Sequence, residues 1–294
     1  MALMRKPLTW LVGGAVVLLL VVAVADAIRS RADASSSPAP PPRVLHGVIL
    51  AADAACQTQA FRLPSMASEQ PRHPPDCNGL VWSQDGSLVA RCKGDFTSMT
   101  SSDGIRFPNV DGCAPAWRAD GALSVIFDGN IVVVRRHGDP FIFFSRPQLT
   151  DALRAAGVEN AAEWRFAQVG WFGLTSFVAV VEEPTGEAAI AVFARGGLES
   201  FLPEPGARIE DLRASPLGNF GFALAHPERE YVMVSRGGDP IAIPHVRGAE
   251  AIAWSPDERY VAIATDDETV IGRTGTTSVV TTLPFGARAL AWLT

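Results

Sequence analysis

The sequence predicts an all-β fold, a six-bladed β-propeller of four-stranded antiparallel sheets, behind one apolar segment at the N-terminus. Three observations support this prediction. A unit of strand, polar turn and strand, best preserved at residues 251–262, recurs along the chain. A second hairpin follows most of these units, which gives four strands in a repeat of about 40 residues, the spacing of a propeller blade. Incomplete units stand at both ends of the repeat region, and together they make one closing blade.

The apolar segment at the N-terminus, residues 8–25, contains no charged residue. As a helix it reaches roughly 27 Å, close to the hydrocarbon thickness of a bilayer. Arg5 and Lys6 precede it, and they favour a cytoplasmic N-terminus with the rest of the chain outside. The rival interpretation is a cleaved signal peptide, because residues 25–27 (Ala-Asp-Ala) have the small-x-small form of a cleavage site. Residues 1–28 are therefore predicted to be a transmembrane anchor of a single-pass membrane protein, or a signal peptide of a secreted one.

Residues 29–43 are rich in Ser and Pro and show no apolar periodicity. This composition predicts a linker that separates the N-terminal segment from a propeller at residues 44–294. The net charge is −6, and no stripe of Lys or Arg runs along the chain. Because nucleic-acid binding relies on clustered positive charge, the sequence argues against nucleic acid as a partner.

The cysteines lie in the first third of the predicted propeller. An even number of them in an exported chain favours disulfides, and we expect two bonds that tie the first blade to its neighbours. The spacing leaves their pairing open. No Cys-x-x-Cys and no His pair at zinc spacing is present, so no metal site is expected. The disulfide candidates are Cys56, Cys77, Cys92 and Cys113.

Each repeat unit is anchored by the residue that ends its first strand, a Trp in all units but one. A polar turn follows, and a bulky apolar residue six positions after the anchor starts the second strand in the complete units. Turns with Asp-Gly, Gly or Pro between two apolar strands are a strong hairpin signal. A Trp that recurs at one repeat position is expected to pack between neighbouring blades; the alternative is a Trp-lined glycan groove. The anchor positions are Trp82, Trp117, Trp171, Ala214, Trp254 and Trp292.

The spacing of the anchors and the two chain ends complete the predicted ring. Residues 147–157 form the one predicted helix of this region, capped by Thr150 or Asp151, and they widen the gap between the second and third units. The last unit stops after its first strand, and residues 44–63 look like later strands of a blade that lacks its start. Joining them closes a ring of six and removes free sheet edges, with three or four strands in the closing blade. A β-sandwich is the alternative, but it requires no recurring Trp-turn-strand unit.

The units Trp-Ser-Gln-Asp-Gly at Trp82 and Trp-Ser-Pro-Asp at Trp254 resemble the WD40-like repeats of TolB-type six-bladed propellers. The resemblance covers most of residues 44–294 and is clearest in these two units. The chain departs from eukaryotic WD40 repeats, since the Gly-His pair and the closing Trp-Asp dipeptide are absent from the sequence. The resemblance implies a bacterial, extracytoplasmic binding or scaffolding module.

The sequence does not indicate catalysis. It has no Gly-x-Ser-x-Gly elbow, and its five His residues are scattered over presumed turns and strand ends. We therefore expect no catalytic residue, no cofactor and no metal. The predicted function is non-enzymatic binding of a protein, peptide or cell-envelope polymer outside the membrane.

Two alternatives remain: a propeller enzyme, such as a lactonase, lyase or hydrolase with a central-channel site, or a sensor ectodomain. Converging His, Asp or Glu in the channel would favour the enzyme. An apolar or mixed channel with an exposed apolar patch on one face would favour the binding module.

Overall fold

The structure is a computed structural model that describes residues 45–294, except residues 56, 66, 70–79, 136–137, 195, 205, 207, 216 and 226–228. Leu45–Thr294 forms one compact unit. The predicted anchor at residues 8–25 and the predicted linker at residues 29–43 lie outside the described residues. Within the part that is described, no helix is long and apolar enough to cross a membrane.

Short β-strands dominate the fold, as the repeat predicts. The described residues form 23 strands and one α-helix. In chain order the strands are β1 Gly47–Ala52, β2 Thr58–Leu63, β3 Ala67–Glu69, β4 Val81–Trp82, β5 Leu88–Lys93, β6 Phe96–Ser101, β7 Val110–Asp111, β8 Cys113–Trp117, β9 Leu123–Phe127, β10 Asn130–Val134, β11 Phe141–Phe144, β12 Arg165–Trp171, β13 Phe177–Glu182, β14 Ala188–Ala194, β15 Gly197–Glu204, β16 Ile209–Ala214, β17 Phe220–Leu224, β18 Glu230–Val234, β19 Ala251–Trp254, β20 Tyr260–Ala264, β21 Thr269–Arg273, β22 Val279–Leu283 and β23 Ala289–Leu293.

These strands form six antiparallel sheets, and each sheet is one blade. Blades 1, 2, 3 and 5 each contain four consecutive strands, β4–β7, β8–β11, β12–β15 and β19–β22. Blade 4 contains β16–β18, and blade 6 has the order β23-β1-β2-β3. The first strand of each repeat unit is the innermost strand of its blade. The predicted six-bladed propeller of antiparallel sheets is confirmed.

Blade 6 closes the ring with strands from both ends of the repeat region. β23 pairs antiparallel with β1, from Val48 opposite Leu293 to Ala52 opposite Ala289. β1 in turn pairs with β2, and β2 pairs with β3. The predicted joining of the incomplete end units is therefore confirmed, and the closing blade has four strands. Closure gives β1 a partner on its inner side, where it would otherwise present an unpaired edge.

Blade 4 is the blade with three strands, which corrects the prediction of four strands in every blade. Beyond β18, Val234 and Pro240 form an isolated bridge, and the Ile241 N–H donates to the Met233 carbonyl at 2.8 Å. The pairing stops there. Pro240 and Pro244 have no N–H to donate, so a regular fourth ladder cannot form across this segment.

Helix α1, Arg146–Ala155, follows blade 2. Its N-cap is Ser145, whose hydroxyl accepts from the Gln148 N–H while the Gln148 side chain accepts from the Ser145 N–H. This is a capping box, which satisfies two N–H groups that a helix start leaves free. The predicted caps, Thr150 and Asp151, are wrong because both lie inside the helix. The two buried leucines of the helix join the core between blades 2 and 3.

The apolar core lies in layers between neighbouring blades. Because both faces of a blade are covered by its neighbours, its central strands are apolar on both sides. All residues of β14 are buried, for example. Between blades 2 and 3 the core is aromatic, with the Phe177 and Phe193 rings stacked at 4.7 Å and the Phe144 ring 5.0 Å from that of Phe193. The layers join each blade to the next around the ring.

One disulfide joins blade 1 to blade 2. Cys92 of β5 is bonded to Cys113, the first residue of β8. A disulfide in this region is thus confirmed, and it ties the first blade to its neighbour as expected. Cys56 and Cys77 lie outside the described residues.

Candidate functional site

The six innermost strands, β4, β8, β12, β16, β19 and β23, surround a central channel. A cavity of about 500 Å³ in this channel is lined by equivalent positions of all six blades. Since equivalent positions meet in one cavity, the six strands run in the same direction and end at the same face of the ring, called here the exit face. The anchors that line the cavity are Trp82, Trp117, Trp171, Ala214, Trp254 and Trp292.

The anchor tryptophans are between 4% and 8% exposed, and their indoles pack on the preceding blade. The Trp117 Nε1–H donates to the Val81 carbonyl of blade 1 at 2.9 Å. The Trp171 Nε1–H donates to the Ser124 hydroxyl of blade 2 at 2.7 Å. With so little of each ring exposed, these residues offer little aromatic face for stacking on a sugar.

Three further anchors show the same placement with different hydrogen bonding. Trp292 stacks on Tyr260 of blade 5 with ring centroids 6.4 Å apart. Trp254 approaches blade 4 so closely that a Cβ on Gly221 would lie 3.3 Å from its Cη2 atom. Trp82 packs with residues of blade 6. The buried Nε1 atoms of Trp82 and Trp254 have no hydrogen-bond acceptor in the described part of the chain.

Blade 4 departs from the repeat at two adjacent positions. Its anchor is Ala214, and a Cβ on Gly170 of blade 3 would lie only 2.7 Å from the Ala214 Cβ. β12 and β16 therefore approach each other where an indole stands in the other blades. The preceding position is also different, because blade 4 has Arg213 there. The other blades carry a small or apolar residue at that position: Val81, Ala116, Gly170, Ala253 and Ala291.

Arg213 is held at the cavity wall by an acidic partner. Its side chain is 20% exposed, and its Nη2 atom lies 2.7 Å from Asp211 Oδ1. The second oxygen of Asp211 accepts from the Tyr231 hydroxyl. Burial, and then the Asp211 charge, raises the pKa of Tyr231 well above its usual value, so the hydroxyl stays protonated. Burial alone would lower the pKa of Arg213, but the Asp211 carboxylate outweighs it and keeps that pKa above its usual value, so the guanidinium stays charged.

Asp85 is a second charged residue of the cavity lining, and the turn after Trp82 uses its carboxylate fully. Its Oδ1 atom accepts from the Ser83 hydroxyl at 2.7 Å and from the Ser87 N–H at 3.0 Å, and both carboxylate oxygens lie 2.8 Å from the Ser87 hydroxyl. These bonds, first the one from Ser83, lower the pKa of Asp85 below its usual value. Gly86 follows with φ +68°, the left-handed conformation that this turn requires.

The equivalent turn of blade 5 has Glu258 at the position of Gly86. Glu258 is 7% exposed and adopts φ +55°, a conformation that L-residues other than Gly rarely take. Its Oε1 atom accepts from the Leu217 N–H at 2.6 Å, and its Oε2 atom accepts from the Asn219 side-chain amide at 2.8 Å. Glu258 thus connects the exit-face turns of blades 4 and 5.

Two leucines are exposed on the turns beside the cavity. Leu174 of the blade 3 turn is 50% exposed, and Leu217 of the blade 4 turn is 74% exposed. The two turns are connected, since the Phe172 and Phe220 rings lie 6.0 Å apart. The two leucines lie on neighbouring exit-face turns, and the pair is called here the exit-face patch.

Titratable side chains do not gather into a catalytic or metal site in the described residues. No three or more His, Cys, Asp or Glu residues there are placed to hold a metal ion. His46 supplies a backbone carbonyl to the Trp292 indole, and His245 lies 3.4 Å from Glu230 on the exposed surface. The other histidines lie outside the described residues: His73, His137 and His226.

Sequence reasoning identifies the anchors but misses Arg213 and Glu258. A signal for both is present in the repeat itself. Arg213 is the one large, charged residue that precedes an anchor, and Glu258 replaces the Gly that ends the Asp-Gly turns. Comparing the six units position by position, rather than following only the tryptophans, would have identified both.

The strand order and ring closure define the class of this protein, a six-bladed β-propeller. No family model matches the sequence, and no curated protein matches it. Among solved structures, the chain is similar to the β-propeller domain of Cps50 (Swd1) from Myceliophteria thermophila, with a TM-score of 0.49 and 14% sequence identity. The similarity covers 85% of this chain and 89% of that chain, and it concerns the fold only.

Proposed function

We propose that the protein is a membrane-tethered, extracytoplasmic propeller that binds a partner at its exit face and catalyses no reaction. The partner is a protein, a peptide or a polymer of the cell envelope. The observation that carries this proposal is the exit-face patch of Leu174 and Leu217 beside a cavity of mixed polarity. Exposed apolar side chains on a rigid rim favour docking, because burying them removes apolar surface from water.

The charges of the cavity support binding rather than catalysis. Asp85 of the lining is occupied by its own turn, and Arg213 of the lining is paired with Asp211, which also accepts from Tyr231. General acid–base catalysis needs a titratable group that is free to reach a substrate. Among the described residues that line the cavity, we find no pair of carboxylates or histidines in that condition.

The membrane tether and the TolB-type likeness are part of the same proposal. The uncharged residues 8–25 support the tether, and the Trp-Ser-x-Asp turns at Trp82 and Trp254 support the likeness. Membrane fractionation and N-terminal sequencing of the native protein test the tether. We expect an intact N-terminus in the membrane fraction; mature protein in the medium that starts at Ile28 would refute it.

Site-specific photo-crosslinking tests the binding face. A photoreactive amino acid replaces Leu217 in the full chain in its own host, and a second chain carries it at Ile142 of β11. Ile142 is a matched control, since it is 59% exposed but lies on an outer strand. We expect a discrete adduct from position 217 that position 142 does not give, and that a Leu174→Asp substitution removes. Equal adducts from both positions, or none from position 217, would contradict the proposal.

A further inference from the structure

The strongest departure from the repeat is the pair Arg213-Ala214. Five blades place a small or apolar residue and then a Trp at these positions, whereas blade 4 places a cation and then an Ala. In a repeat fold, a local departure from a pattern that the rest of the chain keeps is expected at functional or strained sites. The departure also lies at the wall of the central cavity, where both residues contribute to the lining.

Arg213 has hydrogen-bond donors to spare. A guanidinium carries five N–H groups, and the contact with Asp211 at 2.7 Å involves one of its nitrogens. The contact with Asp211 is the one ion pair of this guanidinium among the described residues. Both oxygens of Asp211 are engaged, because the second one accepts from the Tyr231 hydroxyl.

The indole nitrogen of Trp254 is a second donor without an acceptor, and comparison with another pair of blades relates it to Arg213. Trp117 Nε1 donates to the carbonyl of Val81, the residue before the preceding anchor. Arg213 is the equivalent of Val81, and Trp254 is the equivalent of Trp117. The Trp254 Nε1 atom nevertheless makes no hydrogen bond in the described structure. A buried donor that is left unpaired costs about 1–3 kcal/mol, so this part of the wall favours an acceptor.

We propose that the channel binds a carboxylate with an apolar body, and that Arg213 is the residue that recognises its charged group. This inference rests on the proposed function in taking the channel and its rim as the binding region. The cavity of about 500 Å³ has the size of a small-ligand pocket, about 300–1,000 Å³. The planar guanidinium matches a carboxylate through paired N–H groups. The partly exposed apolar residues of the lining, such as Val81, Pro256 and Leu293, would contact the apolar body.

The local charges favour a carboxylate over a phosphate. Arg213 is the one cationic residue among the described residues of the lining, and its guanidinium is already paired with Asp211. Asp85 adds a further negative charge to the lining. A dianionic phosphate would leave an uncompensated charge in this partly buried place, whereas a monoanion leaves less. A small fatty acid and the C-terminus of an apolar peptide share this chemistry, and the experiment distinguishes these two sources.

The test measures direct binding of defined probes to the purified full chain by calorimetry. The probes are hexanoate and its neutral amide, an acetylated tripeptide of alanine, valine and leucine with a free or an amidated C-terminus, and inorganic phosphate. We expect the acids to bind and the amides not to bind. Hexanoate binding identifies a free carboxylate as sufficient; binding of the tripeptide acid alone identifies a chain terminus.

Variants assign the binding to Arg213. We expect Arg213→Met to weaken binding of the acid about tenfold or more, the scale of one charge-assisted pair, and Arg213→Lys to retain part of the affinity. Arg259→Met is the matched control, because Arg259 is a 52% exposed residue of an exit-face turn. Since Arg213→Met leaves Asp211 unpaired, the double variant Arg213→Met/Asp211→Asn is measured beside it, and a thermal melt confirms folding of each chain.

Several results would overturn the inference: no acid binds, the amides bind as well as the acids, phosphate binds in place of the acids, or Arg259→Met is as harmful as Arg213→Met. The crosslinking at Leu217 separates this inference from the proposed function. If the adduct forms and no acid binds, the carboxylate inference is wrong and the proposed function stands. If hexanoate binds and Leu217 gives no adduct, the proposed docking face is wrong and the carboxylate site stands.

Discussion

Two substitutions of Glu258 separate opposing contributions to stability at one residue: the hydrogen bonds of its carboxylate, which stabilise the fold, and its left-handed backbone, which destabilises it. The Glu258→Ala substitution removes both hydrogen bonds of the buried carboxylate, at 2.6 Å to Leu217 and at 2.8 Å to Asn219, and keeps the left-handed backbone at φ +55°. A hydrogen bond to a charged group contributes about 1.5–3 kcal/mol, so the two bonds together predict a loss of about 3 kcal/mol or more. For a domain of this size, that loss lowers the melting temperature by about 6–12 °C.

The Glu258→Gly substitution loses the same hydrogen bonds but relieves the backbone. A left-handed conformation costs an L-residue about 1–2 kcal/mol, and Gly adopts it without that cost. We therefore expect the free energy of unfolding to decrease from the wild type to Glu258→Gly and again to Glu258→Ala, with about 1 kcal/mol between the two variants. Urea unfolding followed by circular dichroism measures this order.

Two further chains control the Glu258 experiment. Glu268→Ala removes an exposed turn carboxylate and should change stability little. Asn219→Ala, alone and combined with Glu258→Ala, forms a double-mutant cycle that isolates the contact between the two turns. If Glu258→Ala costs less than about 1 kcal/mol, or if the Gly variant is the less stable of the two, the account of this residue as an interblade connection under backbone strain is wrong.

Three other substitutions test separate features of the ring. Gly286→Ala would drive a Cβ into the backbone carbonyl of Asp266, and we expect it to lower the free energy of unfolding by about 3 kcal/mol in chemical unfolding. Gly197→Ala, whose Cβ would meet no obstruction, is the control. Arg118→Met should lower the free energy of unfolding by about 1–3 kcal/mol in the same assay, because it removes the ion pair with Asp120 and the contacts of a 7% exposed side chain with the Phe143 and Trp171 rings. An unchanged free energy of unfolding would contradict this expectation. The pKa of Asp85 lies below its usual value of 3.8, so the hydrogen bonds of its ionised carboxylate stabilise the fold above pH 3.8, and this stabilisation is lost as the pH falls through the lowered pKa. Asp85→Asn should therefore flatten the decrease of the melting temperature at acidic pH. A pH profile identical to that of the wild type would contradict this account.

The number of blades and their closure could be predicted from sequence because each unit carries its own local signal. A Trp, a turn with Asp or Gly and a second apolar strand specify one hairpin without reference to the rest of the chain. The closing blade follows from the incomplete end units, since β23 supplies the strand that β1 lacks. Blade 4 lacks a regular fourth strand because Pro240 and Pro244 have no N–H group to donate to a neighbouring strand, although the apolar segment around them can still pack.

The candidate site could be predicted less well because its residues interact across the strands of one blade and across blades. Arg213 is an ordinary strand residue until Asp211 and the Tyr231 hydroxyl are brought beside it. Glu258 looks like a solvated turn residue, yet its carboxylate is buried against Leu217 and Asn219 from a neighbouring blade. Such pairings depend on how distant strands and neighbouring blades come to lie beside one another, which local sequence patterns do not encode.

The pairing of β23 with β1 has a consequence for how the protein is made. Val48 meets Leu293, so the hydrogen bonds that close the ring join residues at opposite ends of the repeat region. During synthesis, the early strands leave the ribosome long before their partner exists, and their inner edge stays unpaired until the last blade is translated. The closing step must also overcome the entropy of joining two distant chain segments, which grows with the logarithm of the loop length. Ring closure is therefore expected to be a late event in biogenesis, and the nascent chain is most exposed to misassociation just before it.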